Sequence, residues 1–273
     1  MRGPARICSA VALRLSRAAS QRTSWEKGFL GIADPVTDAT DERFEVAAAL
    51  GPAAQGPSDQ HDARGVGGDS HPLALDKLKA RGFALERLPG TAVEMEAITS
   101  LLRAHNQSID VREGVNATKD GLLDTDLSKF RFLHFATHGL LPVDTGITEP
   151  SLVLSYDGVS QSDMFLSMSE ILDLKLTSES VVLSACNTGS GQISRTEGVM
   201  SLGRAFLAAG SSSVTVSLWQ VSDESTALLM KQYYQSLLGG KRKSVALAEA
   251  RNAVFMSRQK DPYFWAPFIV IGE

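Results

Sequence analysis

Four short apolar runs rich in β-branched or aromatic residues constrain this chain more than any other feature. They are Arg131 to Ala136 (RFLHFA), Val181 to Ala185 (VVLSA), Ser213 to Trp219 (SVTVSLW) and Phe268 to Ile271 (FIVI). Each is short for a helix and bounded by turn residues, so each reads as a buried strand. Helical patterns lie between them, at Glu197 to Ala209, Ser225 to Leu238 and Val245 to Met256, each bounded by Gly, Ser or Asp. Strands that alternate with helices require right-handed crossovers and a mostly parallel sheet covered on both faces, an α/β/α sandwich.

Two more elements precede these. Lys27 to Ala33 (KGFLGIA) reads as a short buried strand ended by Asp34-Pro35, where proline cannot continue the ladder. Thr91 to Ala104 places Val93, Ile98, Leu101 and Leu102 at near-helical spacing, with Glu94 and Glu96 early, where the helix dipole favours acids. A short helical stretch is expected over Asp41 to Leu50. Gly51 to Pro72, with five glycines and three prolines, has too little apolar surface to offset its own ordering and reads as a flexible loop. The expected organisation is a basic segment over residues 1–26 and one folded domain over residues 27–273, with the loop at 51–72 inside it. No repeat of 20 to 50 residues is visible.

Composition excludes several classes of function. With 273 residues, 43% hydrophobic and 21% charged, the chain can bury a sizeable core. A formal net charge of -4 and a pI near 5.8 provide no global basic field for phosphates, so nucleic acid is not an expected direct partner. Arg, Ser or Gly interrupts every apolar run before it could cross a bilayer, and no membrane partner is expected. Cys8 and Cys186 are the only cysteines, too few for a disulfide framework or a multi-thiolate zinc site. A reducing, cytoplasmic location and no metal or other cofactor are the expectations. The first residues hold Arg2, Arg6, Arg14, Arg17 and Arg22 without an acid, a composition that overlaps with organellar transit peptides. The plainer reading is a basic helix over Ala10 to Ala19 whose Val11, Leu13 and Leu15 lean on the domain.

Open parallel sheets bind ligands beyond the carboxyl ends of their strands. Two reactive side chains fall there: His138 follows RFLHFA, and Cys186 follows VVLSA about 50 residues on. A thiolate attacks a carbonyl carbon well, and a neighbouring imidazole can take the thiol proton and later give one to the leaving amine. Gly139 leaves room for a substrate backbone, and its amide with that of Cys186 could hold the oxyanion of a tetrahedral intermediate. A cysteine in an apolar strand is more often a small buried hydrophobe, and a lone histidine more often a turn residue. The pairing at two strand tips carries the catalytic reading of both.

His134 is expected to be a packed strand residue and Cys8 an incidental thiol. Asn187, Thr188, Gly189 and Gly191 suggest a phosphate cradle, but no Gly-Lys-Ser/Thr element follows, so the loop is read as shaping the nucleophile turn. Glu197 is expected to favour the start of its helix. Ser222 or Asp223 could cap the helix that follows.

Ala185-Cys186 with a histidine about 50 residues upstream matches the architecture of the caspase signature, although Ser184 replaces its glutamine and the glycine arrives late at Gly189. A finer match runs through Gly31-Ile32-Ala33-Asp34-Pro35, His134-Phe135-Ala136-Thr137-His138-Gly139, Val182 to Gly189, and Glu197-Gly198 with Ala208-Ala209-Gly210. It continues through Ser217-Leu218-Trp219-Gln220-Val221 with Asp223, and Trp265-Ala266-Pro267-Phe268. In this order, over roughly residues 28 to 273, the runs resemble the CHAT domain family, a caspase-like module often found with tetratricopeptide repeats, and more distantly the separases. The resemblance implies a caspase-haemoglobinase-like fold and, in active members, a His-Cys dyad that cuts peptide bonds, here His138 and Cys186. It implies a protein or peptide substrate and control by a partner, such as a tetratricopeptide-repeat protein acting in trans. In separase-like proteases an acid after a similar Leu-Trp segment lines the pocket for a basic P1 side chain, and Asp223 holds that position here. The competing expectation is a catalytically silent interaction module. Autoprocessing in the 51–72 loop, which contains Arg64, is a third.

Overall fold

A computed structural model describes residues 24–44, 85–142, 147–158, 161–184, 193–219, 221–257 and 259–272, with backbone alone at 161, 162 and 193–197. Its main sheet has six strands. In chain order they are β1 (Lys27–Pro35), β2 (Ile109–Gly114), β3 (Phe130–Ala136), β7 (Ser180–Leu183), β8 (Ser213–Ser217) and β9 (Phe268–Gly272), arranged β2-β1-β3-β7-β8-β9. All neighbours are parallel except β9, which runs antiparallel to β8. The expected mostly parallel sheet is therefore present. The strand over Ile109–Gly114 carries Asp, Arg and Glu between its apolar residues and was not among the expected strands.

Side chains alternate across the sheet and divide the core in two. Leu30, Ile32, Leu133, Phe135, Val181, Leu183, Val214 and Val216 face one cluster with Leu202, Ala205 and Phe206. Phe29, Ala33, Phe132, Ala136 and Val182 face the other with Met95, Ile98, Leu102, Leu229 and Tyr233. The second face is covered by α1 (Pro89–Ala104), α5 (Asp223–Leu238) and α6 (Lys243–Met256). The first is covered by α4 (Ile193–Ala208) with the short α2 (Lys119–Leu123) and α3 (Met168–Asp173). A last turn of helix, α7 (Pro262–Trp265), leads into β9. The result is the three-layer sandwich implied by the alternation of elements.

Several boundaries differ from expectation for physical reasons. β1 does not stop before Asp34-Pro35: Asp34 adopts φ 41, the register shifts between Ala33 and Pro35, and Pro35 comes opposite Gly114. Helix α1 begins at Pro89, whose fixed φ suits the first turn, and Val93 is 59% exposed rather than part of the core stripe. Helix α4 starts at Ile193, so Glu197 stands one turn inside it and not at its start. Gly210 ends the turn after α4 at φ 117, with the Leu176 carbonyl oxygen only 2.1 Å from where a Cβ would lie. Only residues 41–44 of the stretch expected to be helical over Asp41 to Leu50 are described, and 42–44 of these are helical. The 1–23 segment with Cys8, the 51–72 loop with Arg64, and the turn from Ala185 to Gly191 lie outside the described residues.

A second, small sheet sits beyond β3. Its strands β4 (Gly139–Leu140), β5 (Ser151–Val153) and β6 (Phe165–Ser167) pair antiparallel in the order β4-β5-β6. It leaves β3 through His138 and therefore frames one side of the candidate site.

Candidate functional site

The parallel register brings the ends of β3 and β7 to one rim. Phe135 pairs with Leu183, and the ladder continues one residue further, with Ser184 N donating to Phe135 O at 3.0 Å. His138 lies three residues past Phe135, and Cys186 lies three residues past Leu183. Adjacent strands run about 4.8 Å apart. The two residues thus follow neighbouring strands at equal offset. Cys186 itself is outside the described residues.

His138 is 3% exposed. Its Nε2 lies 2.6 Å from the carbonyl oxygen of Glu86, which can only accept, so Nε2 carries the proton and donates it. In the neutral ring the lone pair is then on Nδ1, which is buried and has no hydrogen-bond partner among the described residues. Burial lowers the His138 pKa from its ordinary value, opposed by the hydrogen bond to the Glu86 carbonyl. A neutral ring with a fixed tautomer and an unspent basic nitrogen is the state a general base needs.

Gly139 follows directly. Val153 N donates to His138 O at 2.8 Å, and Gly139 stands opposite Leu152. Hydrogen-bonded and non-bonded pairs alternate in an antiparallel ladder, so the Gly139 amide turns away from β5. A Cβ at Gly139 would meet nothing within 4 Å. Gly139 itself is buried, and its amide points away from the small sheet, a direction compatible with an oxyanion donor.

Asp223 is the first residue of α5, and the helix is capped by Ser222, whose hydroxyl accepts from Ser225 N. The capping role expected of either residue falls to Ser222. Asp223 is exposed, and its carboxyl carbon occupies the space 1.7 Å from where a Cβ on Gly90 would sit. Any side chain at Gly90 would displace it. His138 and Asp223 thus touch one short stretch of chain, at Glu86 and at Gly90. Trp219, past the end of β8, donates from its indole to Tyr263 O at 3.0 Å and stands on the same rim, 36% exposed.

His134 is a packed strand residue as expected, at 0% exposure, but its surroundings are polar. Its Nε2 lies 3.0 Å from Glu94 and its Nδ1 3.1 Å from the Tyr234 hydroxyl, while the Ser184 hydroxyl donates to Glu94 at 3.1 Å. The four side chains join β3, β7, α1 and α5 beneath the rim. Burial pushes the Tyr234 hydroxyl well above its ordinary pKa, so it stays protonated and can donate to His134. Sequence reasoning missed Glu94, Ser184 and Tyr234 as a unit, and missed Glu86, which acts through its backbone. Glu94 left one readable signal: it lies on the i, i+4, i+8 stripe with Ile98 and Leu102, an acid on the buried face.

Among the described residues no group of His, Cys, Asp or Glu could hold a metal ion. No helix among them is long and apolar enough to cross a membrane. A cavity of about 400 Å³ lined by Leu127, Glu170 and Leu174 lies beside the start of β3, at the sheet end opposite His138.

Comparison with known proteins agrees with this architecture. A stretch of 124 residues is 38% identical to tetratricopeptide repeat protein 28 of Homo sapiens, covering 43% of this chain and 5% of that protein. The Mus musculus protein of the same name is 37% identical over 112 residues, covering 41% of this chain and 4% of its own length. These stretches are a small fraction of either relative. Among solved structures, the Arg-specific cysteine proteinase gingipain R superposes with a TM-score of 0.53 at 10% identity, covering 96% of this chain and 51% of that one. This likeness establishes a fold shared with that cysteine proteinase. The sequence profile of the CHAT domain matches residues 5–273, and the chain belongs to the CHAT domain family.

Proposed function

We propose that the chain is a cysteine-type endopeptidase in which His138 is the general base and Cys186 the nucleophile. The observation that supports this reading is the state of His138: buried, with Nε2 committed to the Glu86 carbonyl and Nδ1 unspent, at the same offset past β3 as Cys186 is past β7. Nδ1 takes the proton of the Cys186 thiol as sulfur bonds to the scissile carbonyl carbon. The carbonyl oxygen becomes an oxyanion held by the amides of Gly139 and Cys186. Collapse breaks the carbon–nitrogen bond, the imidazolium protonates the departing amine, and water then hydrolyses the thioester by the same base. Asp223 offers an exposed carboxylate on the same rim, which suits a lysine or arginine side chain at P1.

A second reading is favoured by the low exposure of His138, 3% beneath residues 85–88. A base covered in this way suits either a peptidase that a partner protein must open or a catalytically silent interaction module. The relatives' tetratricopeptide repeats suggest such a partner, supplied in trans. One experiment separates the readings: an activity-based thiol probe applied to the purified chain, alone and with candidate repeat proteins, followed by fluorogenic peptides ending in Arg or Lys. Labelling at Cys186 that is lost in His138→Ala supports the peptidase. Turnover that survives Cys186→Ala would remove the assigned nucleophile, and an unlabelled Cys186 under every condition favours the silent module.

A further inference from the structure

The segment from Leu85 to Leu88 crosses the rim above His138 and is tied down at successive residues by the exit of β1. Thr37 Oγ1 donates to Leu85 O at 3.1 Å. The Arg87 guanidinium reaches the Asp34 carboxylate through Nε at 3.2 Å and Nη2 at 3.0 Å. Thr91 Oγ1 donates to Leu88 O at 2.7 Å and accepts from Asp34 N at 2.9 Å. Glu86, in the middle of these attachments, presents its carbonyl to His138.

Asp34 is unusual on three counts. Its side chain is 5% exposed, it carries a left-handed backbone without being glycine, and it binds two arginines, Arg43 at 2.8 Å and Arg87. A left-handed aspartate costs of order 1 kcal/mol or more and persists only where its surroundings determine it. The strain turns the chain at the end of β1, and the carboxylate is directed at the guanidinium beside Glu86. Arg43 is itself paired with Asp41 at 2.7 Å, so charge balance at Arg43 survives without Asp34. Arg87 has Asp34 as its only ion-pair partner among the described residues.

We infer that Asp34 and Arg87 are positioning residues for the general base: their ion pair fixes the Glu86 carbonyl over His138 Nε2 and so holds the imidazole with its lone pair on Nδ1. The inference rests on the peptidase reading for its meaning, but its geometry does not. Neither residue touches the reacting atoms. A backbone carbonyl cannot be removed by substitution, which makes the side chain next to it the point where the arrangement can be perturbed. Arg87 is 51% exposed, so truncating it leaves no cavity in the core.

The test follows the proton on His138 Nε2. In the full chain with ring-labelled histidine, assigned with His138→Gln, the hydrogen-bonded Nε2–H is expected as a solvent-protected imidazole resonance. Arg87→Ala is expected to lose that resonance to exchange with water and Arg87→Lys to restore it, both with wild-type circular dichroism. Asp34→Asn, which tolerates the left-handed backbone, is expected to behave as Arg87→Ala does. The rate of Cys186 alkylation by iodoacetamide is expected to fall about tenfold in Arg87→Ala, less than loss of the general base itself would cost. Arg103→Ala, which breaks an exposed pair with Glu96 at 3.4 Å, serves as the control and is expected to change neither signal. A protected Nε2–H that persists in Arg87→Ala overturns the positioning role, as does its absence from the wild type. A protected proton that responds to Arg87 as described, beside a wild-type Cys186 no faster than a free thiol both alone and with the candidate repeat proteins, would instead overturn the peptidase reading.

Discussion

Burial acts on His138 in one direction, by disfavouring the charged ring, and the Glu86 carbonyl only partly opposes it. Between the ordinary histidine value of about 6.5 and the lower native one, the unfolded chain takes up a proton that the native ring does not. Stability from this residue is therefore whole above about pH 6.5 and declines as pH falls toward the native pKa. Thermal midpoints measured from pH 7.5 to 5 should drop more steeply for the wild type than for His138→Gln. Identical slopes would show that the ring does not titrate in that window. The same displacement keeps the base neutral below pH 6.5, so the acid limb of a Cys186 alkylation profile should lie on the acid side of an ordinary imidazole. Removing the imidazole altogether, in His138→Ala, should slow alkylation by about 10²-fold or more at pH 7.

At the scale of elements, the polar quartet beneath the rim joins two strands to two helices. Glu94→Ala would remove the buried carboxylate that His134 and Ser184 share, at a cost of about 3 kcal/mol. A urea midpoint unchanged within error would show that these contacts are dispensable. Gly210→Ala should cost at least about 2 kcal/mol, because a side chain at φ 117 would also meet the Leu176 carbonyl. The strands β1, β3, β7, β8 and β9 were legible because their apolar runs are short, continuous and bounded by turn residues. β2 was not, since an edge strand with half-buried residues carries Asp110, Arg112 and Glu113 and lacks a clean period. The small sheet was also invisible: strands of two or three residues hold no pattern. For the candidate site, His138, Gly139, Cys186 and Asp223 are proposed from residue type at strand ends and from the family's motifs. The Glu86 carbonyl was unreadable, because every residue has one. The anchoring by Arg87 joins residues 53 positions apart and leaves no local trace.

Taken whole, the molecule has its most protected backbone at the centre of the sheet. β3 has a partner on each side and buried clusters on both faces, whereas β2 lies at one edge and β9 at the other. Hydrogen exchange followed by mass spectrometry should find peptides covering Phe132 to Ala136 exchanging last and those covering Ile109 to Gly114 well before them. The reverse order would contradict the topology. β9 has a further consequence, which concerns synthesis on the ribosome. It is the last of the described strands in chain order, yet it covers one side of β8, and Leu218 N waits for the carbonyl of Pro267. Until residue 272 has left the exit tunnel, Val214 and Val216 belong to a strand with one bare flank, open to wrong pairing between nascent chains. Translation thus reaches the residues that cover this flank after every other described strand, and a message cut short before Phe268 would yield a chain prone to clump with its neighbours.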